Sequence, residues 1–514
     1  MEKIFYNGKI LTMAENIYTQ AVLVSGGKIT ETGMFEKLST AHPEAEKVNL
    51  GGKTMMPAFI DSHSHFASCA VSFLQPSLEE CKSIDDILNK IKEHITKNNP
   101  SHGKWISLRG YDQNSLAEKS HPDKKLIDSV SPHNPVVIQH KSGHSGIFNS
   151  FALKELGLTE ATENGYMAEN EFINAVMNIP LPDEQEILES FKRTQELYLS
   201  YGITTAQEGM FVKELIPLYQ LLLKSKILKI DIVGYASLKD LSDIEKAFEC
   251  HIKNYKGHFK LGGIKVFLDG SPQIKTAYMN KPYTGTSERG MCTMSNEELS
   301  RAVETAVSKE TQIICHANGD AACDMFINAI KESASHSTVI TKLNPVIIHA
   351  QFINPCRLLT AGSLGMTASF FVSHILHYGE THIQNLGLNR ASQMSPLNSA
   401  QHSLNFTLHR DSPVMSPDMF ESVYCAVSRR TSTGRVLGEN QKISIINALR
   451  AVTVNAAKQY SEENLKGSIA EGKAADFIIL DKNPLDVSVD DLLNIKILET
   501  IKDGSVVWQN NKSK

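Results

Sequence analysis

The sequence predicts an α/β fold of the (β/α)8 barrel class, and three observations carry that expectation. Short apolar runs beginning near Thr54, Pro135, Ile203, Leu261, Gln312, Pro345, Gly365 and Leu404 read as eight strands with helical patterns between them. Side chains with metal-ligand chemistry stand at the C-terminal ends of five of those runs, the end where barrels of this class assemble their sites. At 514 residues the chain exceeds the ~250 typical of one barrel, and β-type runs at its two ends account for part of the excess.

Residues 3–50 carry the turn signals Asn7-Gly8 and Gly26-Gly27 between runs such as Ala21-Val22-Leu23-Val24. Residues 467–510 repeat the style, with Asp476-Phe477-Ile478-Ile479-Leu480 and a hairpin signal at Asp503-Gly504 before Ser505-Val506-Val507-Trp508. Short hairpins are marginal alone, so residues 1–53 and 466–514 are expected to build one small composite β-sandwich domain. Residues 54–465 then form the barrel, with inserted cap segments around 66–134. Helices are marked by Ser295 with Glu298, a capping-box spacing, and by the periodic stretch Glu184 to Tyr201 that stops at Gly202.

The first strand, Met56-Pro57-Ala58-Phe59-Ile60-Asp61-Ser62-His63-Ser64-His65, ends in two histidines spaced i, i+2. Side chains alternate along a strand, so His63 and His65 project from one face and can close on one metal ion. The chain has no CxxC pair and no HExxH helix to offer as an easier metal site. Later runs add Lys265 within Gly263-Ile264-Lys265-Val266-Phe267-Leu268-Asp269-Gly270, where an unpaired ammonium is costly to bury. They add His316 after Gln312-Ile313-Ile314-Cys315, His349 after Pro345-Val346-Ile347-Ile348, and His409 with Asp411 after Leu404-Asn405-Phe406-Thr407-Leu408.

Composition narrows the function classes. Hydrophobic residues are 41% and charged residues 21%, an ordinary globular balance. A net charge of −5 with scattered Lys and Arg argues against a nucleic-acid partner. No run of 18 apolar residues occurs, so no membrane span is expected. Eight dispersed cysteines fit reduced thiols, and with no basic and apolar leader at the N-terminus a cytoplasmic enzyme is expected. A homodimer is the base-rate expectation for its assembly.

The ordered set, HxH on the first strand, Lys on the fourth, His on the fifth and sixth and Asp on the eighth, resembles the amidohydrolase superfamily. The stretch Gly263 to Gly270, Ser142-Gly143-His144 with Asn149-Ser150, and Gly467-Ser468-Ile469-Ala470-Glu471-Gly472-Lys473-Ala474-Ala475-Asp476 narrow the resemblance to its YtcJ-like branch, amidohydrolase family 3, which includes N-substituted formamide deformylases. The resemblance spans essentially the whole chain.

It implies a metal-dependent hydrolase that cleaves an amide-type C–N bond of a small molecule, N-formyl, N-acyl or cyclic, by metal-activated hydroxide. His63 and His65 would hold one ion with Asp411, His316 and His349 a second, and Lys265 would bridge them as a carbamate formed with carbon dioxide. A plain Lys265 ammonium paired with Asp269 or Asp411 is the alternative, which leaves one metal. Imidazole and carboxylate suit Zn2+, in one or two ions, with iron, manganese or nickel open by ligand type. Asp411 would serve as general base and then acid.

His144, after Val136-Val137-Ile138 in a Gly-flanked loop, is a candidate for polarising the carbonyl oxygen, with a backbone-bonded loop histidine as the other reading. Candidate substrate contacts are His377 and His382, which with His374 follow the seventh strand, and His409, Asp269, Tyr111 and Asp112, the last two in the excursion where a cap would form. Two alternatives stand beside hydrolysis. A deaminase on the same fold is disfavoured because His316 is followed by Ala317-Asn318-Gly319-Asp320-Ala321 without the glutamate that ring deaminases of the superfamily carry there. A metal-binding protein without turnover is disfavoured by the complete ligand set.

Overall fold

The computed structural model describes residues 2–141, 145–180 and 182–510. They fall into two compact units, Met1–Ala67 with Gln195–Lys514 and Ser68–Thr194.

The first unit contains an eight-stranded parallel sheet whose strands neighbour one another in chain order. They are β1 Phe59–Ile60, β2 Ile203–Phe211, β3 Asp231–Ser237, β4 Phe259–Phe267, β5 Gln312–Ala317, β6 Val346–His349, β7 Thr367–Phe370 and β8 Asn405–Leu408. Strands β3, β6 and β7 are buried at every position, the pattern of a parallel sheet covered on both faces. The first and last strand ends are tied together. His65 N donates to Ser412 O at 2.8 Å and Asp411 N to His63 O at 3.1 Å, and Ser62 Oγ donates to Leu408 O at 3.1 Å. The sheet therefore curls until its eighth strand lies beside its first, a TIM-barrel-like arrangement.

One expected barrel strand is corrected. The run after Pro135 is a strand, Val136–His140, but it lies in the other unit, paired with Ile106–Tyr111 and Ser145–Phe148. The barrel takes Asp231–Ser237 instead, between β2 and β4. That strand ends in Gly234-Tyr235-Ala236-Ser237 and offers no ligand-type side chain, so nothing at its end drew notice.

The chain's two ends meet in a second sheet of the same unit. Phe477–Leu480 pairs antiparallel with Thr54–Pro57, which pairs parallel with Lys3–Leu11. The ladder is one eight-stranded mixed sheet, and Phe5, Ile10, Val22, Met55, Phe477 and Ile479 pack into its core. Gly26-Gly27 and Asp503-Gly504 turn between strands as expected. Asn7-Gly8 does not; it is a bulge inside the single strand Lys3–Leu11, where a Cβ on Gly8 would meet Lys53 O at 2.4 Å. At Ala58 the chain leaves this sheet, through Ala58 N to Asp476 O, and enters the barrel through Phe59 N to Gly202 O.

Below β3 and β4 lies a buried ion cluster. Asp231 accepts from Lys466 at 2.6 Å, Lys502 at 2.9 Å and His258 at 2.9 Å, Lys502 also reaches Asp476 at 3.2 Å, and Glu462 joins Lys260 to Lys466. Burial would raise the Asp231 carboxyl, but the Lys466 and Lys502 ammonium groups outweigh it and hold it well below the usual range.

The unit Ser68–Thr194 carries a four-stranded sheet in the order Tyr166–Ala168, Ser145–Phe148, Val136–His140, Ile106–Tyr111. Helix Ile84–Asn98 is closed by a Ser83/Asp86 capping box and buries Ile87 and Ile91. The expected box at Ser295 and Glu298 caps Asn296–Ser308, and the expected helix from Glu184 runs to Ser200. All eight cysteines are free. Among the described residues no helix is long and apolar enough to cross a membrane.

Candidate metal centre

His63 and His65 follow β1, Lys265 lies within β4, His316 and His349 lie in the last turns of β5 and β6, and Asp411 follows β8. The barrel brings all six to its C-terminal end. His63 Nε2 lies 3.5 Å and His65 Nε2 3.4 Å from Asp411 Oδ1, and the three ligand atoms fall within 4.8 Å of one another. His349 Nε2 stands 4.0 Å from Asp411 Oδ2 and 3.1 Å from His316 Nδ1, and Lys265 Nζ is 3.3 Å from His63 Nε2. Asp411 and His349 both adopt left-handed backbone, at φ 55° and 74°. Such conformations cost about 1–3 kcal/mol each and persist where the surroundings over-determine them; here they aim the two side chains inward.

Hydrogen bonds settle which imidazole nitrogen is free. Gln207 donates through its amide nitrogen to Ser62 O at 2.9 Å and to the Tyr460 hydroxyl at 3.1 Å, so its oxygen faces His63 Nδ1 at 2.5 Å as an acceptor. His63 therefore carries its proton on Nδ1 and presents the Nε2 lone pair. His316 Nε2 faces the Gly270 carbonyl at 3.1 Å and the Asn318 amide nitrogen at 3.0 Å, while its Nδ1 is turned towards His349 Nε2 at 3.1 Å. His349 Nδ1 meets His409 Nε2 at 3.1 Å, His409 Nδ1 meets Ser369 Oγ at 2.8 Å, and Ser369 meets Ser62 at 3.2 Å. With Ser62 donating to Leu408 O, protons run from His349 towards that carbonyl in the sense that leaves His349 Nε2 bare. Gly209 makes room for this set, since a Cβ there would stand 2.6 Å from His63 Cε1.

Electrostatics agree with a cation-seeking pocket. Burial lowers His63 and His349 well below the ordinary imidazole range, brings His316 to about 4 and His409 to about 3, and brings the Lys265 ammonium down to about 8. Burial pushes the Asp411 carboxyl up, yet His65, His409 and Lys265 outweigh it and the net direction is down. The pocket thus holds His63, His316, His349 and His409 as neutral imidazoles near an ionised carboxylate. Asp411 Oδ1 is buried and has no hydrogen-bond partner among the described residues. A carboxylate oxygen facing the His63 and His65 imidazole nitrogens is the donor set of a divalent transition metal, and the residues present fit one.

The remaining expected site residues divide. Asp269 accepts from Tyr278 N, Asn318 N and Gly319 N at 3.0, 3.0 and 2.8 Å and stands 3.5 Å from His316 Nε2, which locks the loop after β4 against β5. His409 lies behind His349. His377 turns to Glu421 at 2.8 Å, and Glu421 in turn holds the buried Arg410 at 2.6 Å. His382 is wholly buried against His374. Tyr111, whose hydroxyl meets His121 Nδ1 at 2.8 Å, and Asp112, which holds Lys141, belong to the Ser68–Thr194 unit. His144 lies outside the described residues. Gln207, Gly209 and Ser369 were not anticipated; the buried polar pair Gln207 and Glu208 inside an apolar strand was the available signal.

The sequence profile of the amidohydrolase family matches residues 46–508. The chain is 25% identical to YtcJ of Bacillus subtilis (strain 168), covering 99% of this chain and all of that protein. It is 25% identical to the N-substituted formamide deformylase of Arthrobacter pascens, covering 99% of this chain and 98% of the relative. Among solved structures, an uncharacterized metal-dependent hydrolase from Pyrococcus horikoshii OT3 superposes with a TM-score of 0.78 at 25% identity, covering 95% of this chain and 99% of the other.

Proposed function

The chain belongs to the amidohydrolase family, and from that premise we propose that it hydrolyses the C–N bond of a small-molecule amide, of N-formyl, N-acyl or cyclic type, with bound zinc. The observation that carries this reading is the convergence of His63 Nε2, His65 Nε2 and Asp411 Oδ1 within 4.8 Å at the barrel's C-terminal end. These three would hold one ion, and His316 Nδ1 and His349 Nε2, 3.1 Å apart, would hold a second. Such an ion supplies Lewis acidity and water acidified to a pKa of about 7.

The chain's own groups do the rest. Lys265, desolvated among apolar neighbours, has its neutral amine within reach near pH 8, and the neutral amine is the form that adds carbon dioxide to give a carbamate bridge. Asp411, ionised and open to the pocket, takes the proton of the attacking water and returns it to the leaving nitrogen. Gln207 holds His63 in its Nδ1-protonated tautomer, and the His409–Ser369–Ser62 series does the same for His349. Asp269 keeps the loop beside His316 in place.

The test pairs metal analysis with a substrate panel. Purified enzyme is expected to hold one or two transition-metal ions per chain and to release amine from N-formyl amines, N-acyl amino acids or cyclic amides, with activity lost on chelation and restored by zinc. Full activity in rigorously metal-free protein overturns the reading. Intact-mass and bicarbonate-dependence measurements on Lys265→Ala against the parent test the carbamate.

A further inference from the structure

Directly after β7, helix His374–Leu386 opens at the same barrel end as the histidine cluster. Its start is fixed to the segment that carries Asp411, because Arg410 Nη1 bonds Ser373 Oγ while Arg410 Nε donates to Ser416 O at 2.7 Å. His374 and His382 face each other eight residues apart on the helix, about two turns, rings parallel to within 12° with centroids 5.5 Å apart, and Nδ1 of His374 lies 3.3 Å from Nε2 of His382. Phe371 packs on His374 at 4.5 Å and on His409 at 5.3 Å, so the pair borders the metal-ligand cluster without belonging to it.

One proton lies between the two rings, and the surroundings say whose it is. His382 Nδ1 is buried and has no partner among the described residues. A proton there would be an orphaned buried N–H, whereas a bare lone pair is the milder loss. His382 therefore carries its proton on Nε2 and donates it to His374 Nδ1. His374 must then be protonated on Nε2, a donor that has no partner among the described residues. The geometry amounts to a histidine prepared as a hydrogen-bond donor and held in that tautomer by a second histidine sealed behind it.

We propose that His374 contacts the substrate, donating Nε2–H to a carbonyl or carboxylate oxygen, and that His382 is its positioning residue. With Phe371 and Tyr378 flanking the His374 ring, at 4.5 and 4.9 Å between centroids, the preferred acyl amines carry an aromatic or bulky apolar group on one side of the amide that His374 contacts. The proposal rests on the amide-hydrolase reading for its substrate, but not for the tautomer.

Two measurements test it separately. In the two-bond 1H–15N spectrum of histidine-labelled holoenzyme, assigned by the signal lost in His374→Gln, His374 is expected to be protonated at Nε2, and sodium benzoate is expected to shift that nitrogen saturably. Protonation at Nδ1, or no shift up to the solubility of benzoate, overturns the proposal whether or not any amide is hydrolysed. With N-formylbenzylamine as substrate, His374→Phe is expected to raise KM about tenfold or more, the loss that an unpaired polar group entails. His374→Gln, which keeps a donor near the Nε2 position, should stay within a few-fold of the parent. His382→Phe should raise KM in the same direction and His382→Gln should restore it, with circular dichroism showing all four folded. Equal KM for His374→Phe and the parent overturns the role. A parent that leaves every amide of the substrate panel untouched fails the hydrolase reading instead, while the spectrum still decides His374.

Discussion

At the N-terminal end of the barrel the buried Asp231 carboxylate is ringed by counter-charges, whereas at the C-terminal end the half-buried Asp411 carboxylate has imidazole nitrogens for neighbours. Below, Asp231 is saturated by Lys466, Lys502 and His258. Above, Asp411 Oδ1 has two histidines at 3.4 and 3.5 Å and no hydrogen-bond partner among the described residues. Both carboxyls are depressed, but the lower one is completed by the chain's own ammonium groups and the upper one asks for a cation from outside. The same barrel thus uses one end to hold itself together and the other to hold something else.

That contrast can be broken in four places, in order of expected effect. Asp411→Asn keeps an oxygen and its volume but cannot take a proton, so kcat should fall about 10²- to 10⁴-fold with the acidic limb of the pH–rate profile lost and the thermal midpoint little changed. Turnover within a few-fold of the parent would move proton transfer to another group. Asp231→Ala should do the reverse, costing about 3–5 kcal/mol of stability in urea unfolding at neutral pH while metal content per folded chain is kept.

The pH dependence of that loss has a definite sign. Because the folded Asp231 carboxyl is held below its unfolded value, its contribution is present above about pH 4 and disappears as pH falls through the folded value. The parent's thermal midpoint should therefore drop on acidification more than that of Asp231→Asn. Gly209→Ala comes third. Its methyl would strike His63 Cε1 at 2.6 Å, and displacing one metal-facing imidazole should weaken metal affinity about 10- to 100-fold, read by competition with a chromogenic chelator. Arg430→Ala is the control: its exposed pair with Asp490 at 3.2 Å has the chemistry of the lower cluster without its burial, and screening limits its loss to about 0–1 kcal/mol.

How much of this was legible in the sequence follows the same division. His63, His65, Lys265, His316, His349 and Asp411 were readable because each interrupts or ends an apolar strand, and strand ends converge in a barrel whatever the loops do. Strand β3 was not readable, because it ends in residues without ligand chemistry, and Val136–His140 was misplaced because apolar alternation names a strand without naming its sheet. The supporting residues escaped for a related reason. Gln207 and Ser369 gain their meaning from partners far away in the chain, at Ser62 and His409, and spacing along the sequence carries no trace of that.

The passage of residues 54–60 from one sheet into the other bears on how the chain is made. Thr54–Pro57 gains its antiparallel neighbour only from Phe477–Leu480, so during synthesis that edge stays open until nearly the whole chain has emerged, and β1, one step downstream, is anchored on one side only. Pairings between distant segments form slowly, and an open strand edge invites association with other chains. Loss of the C-terminal strands should therefore leave the barrel's founding strand without its splint, and a truncated chain is expected to aggregate during expression before any question of catalysis arises.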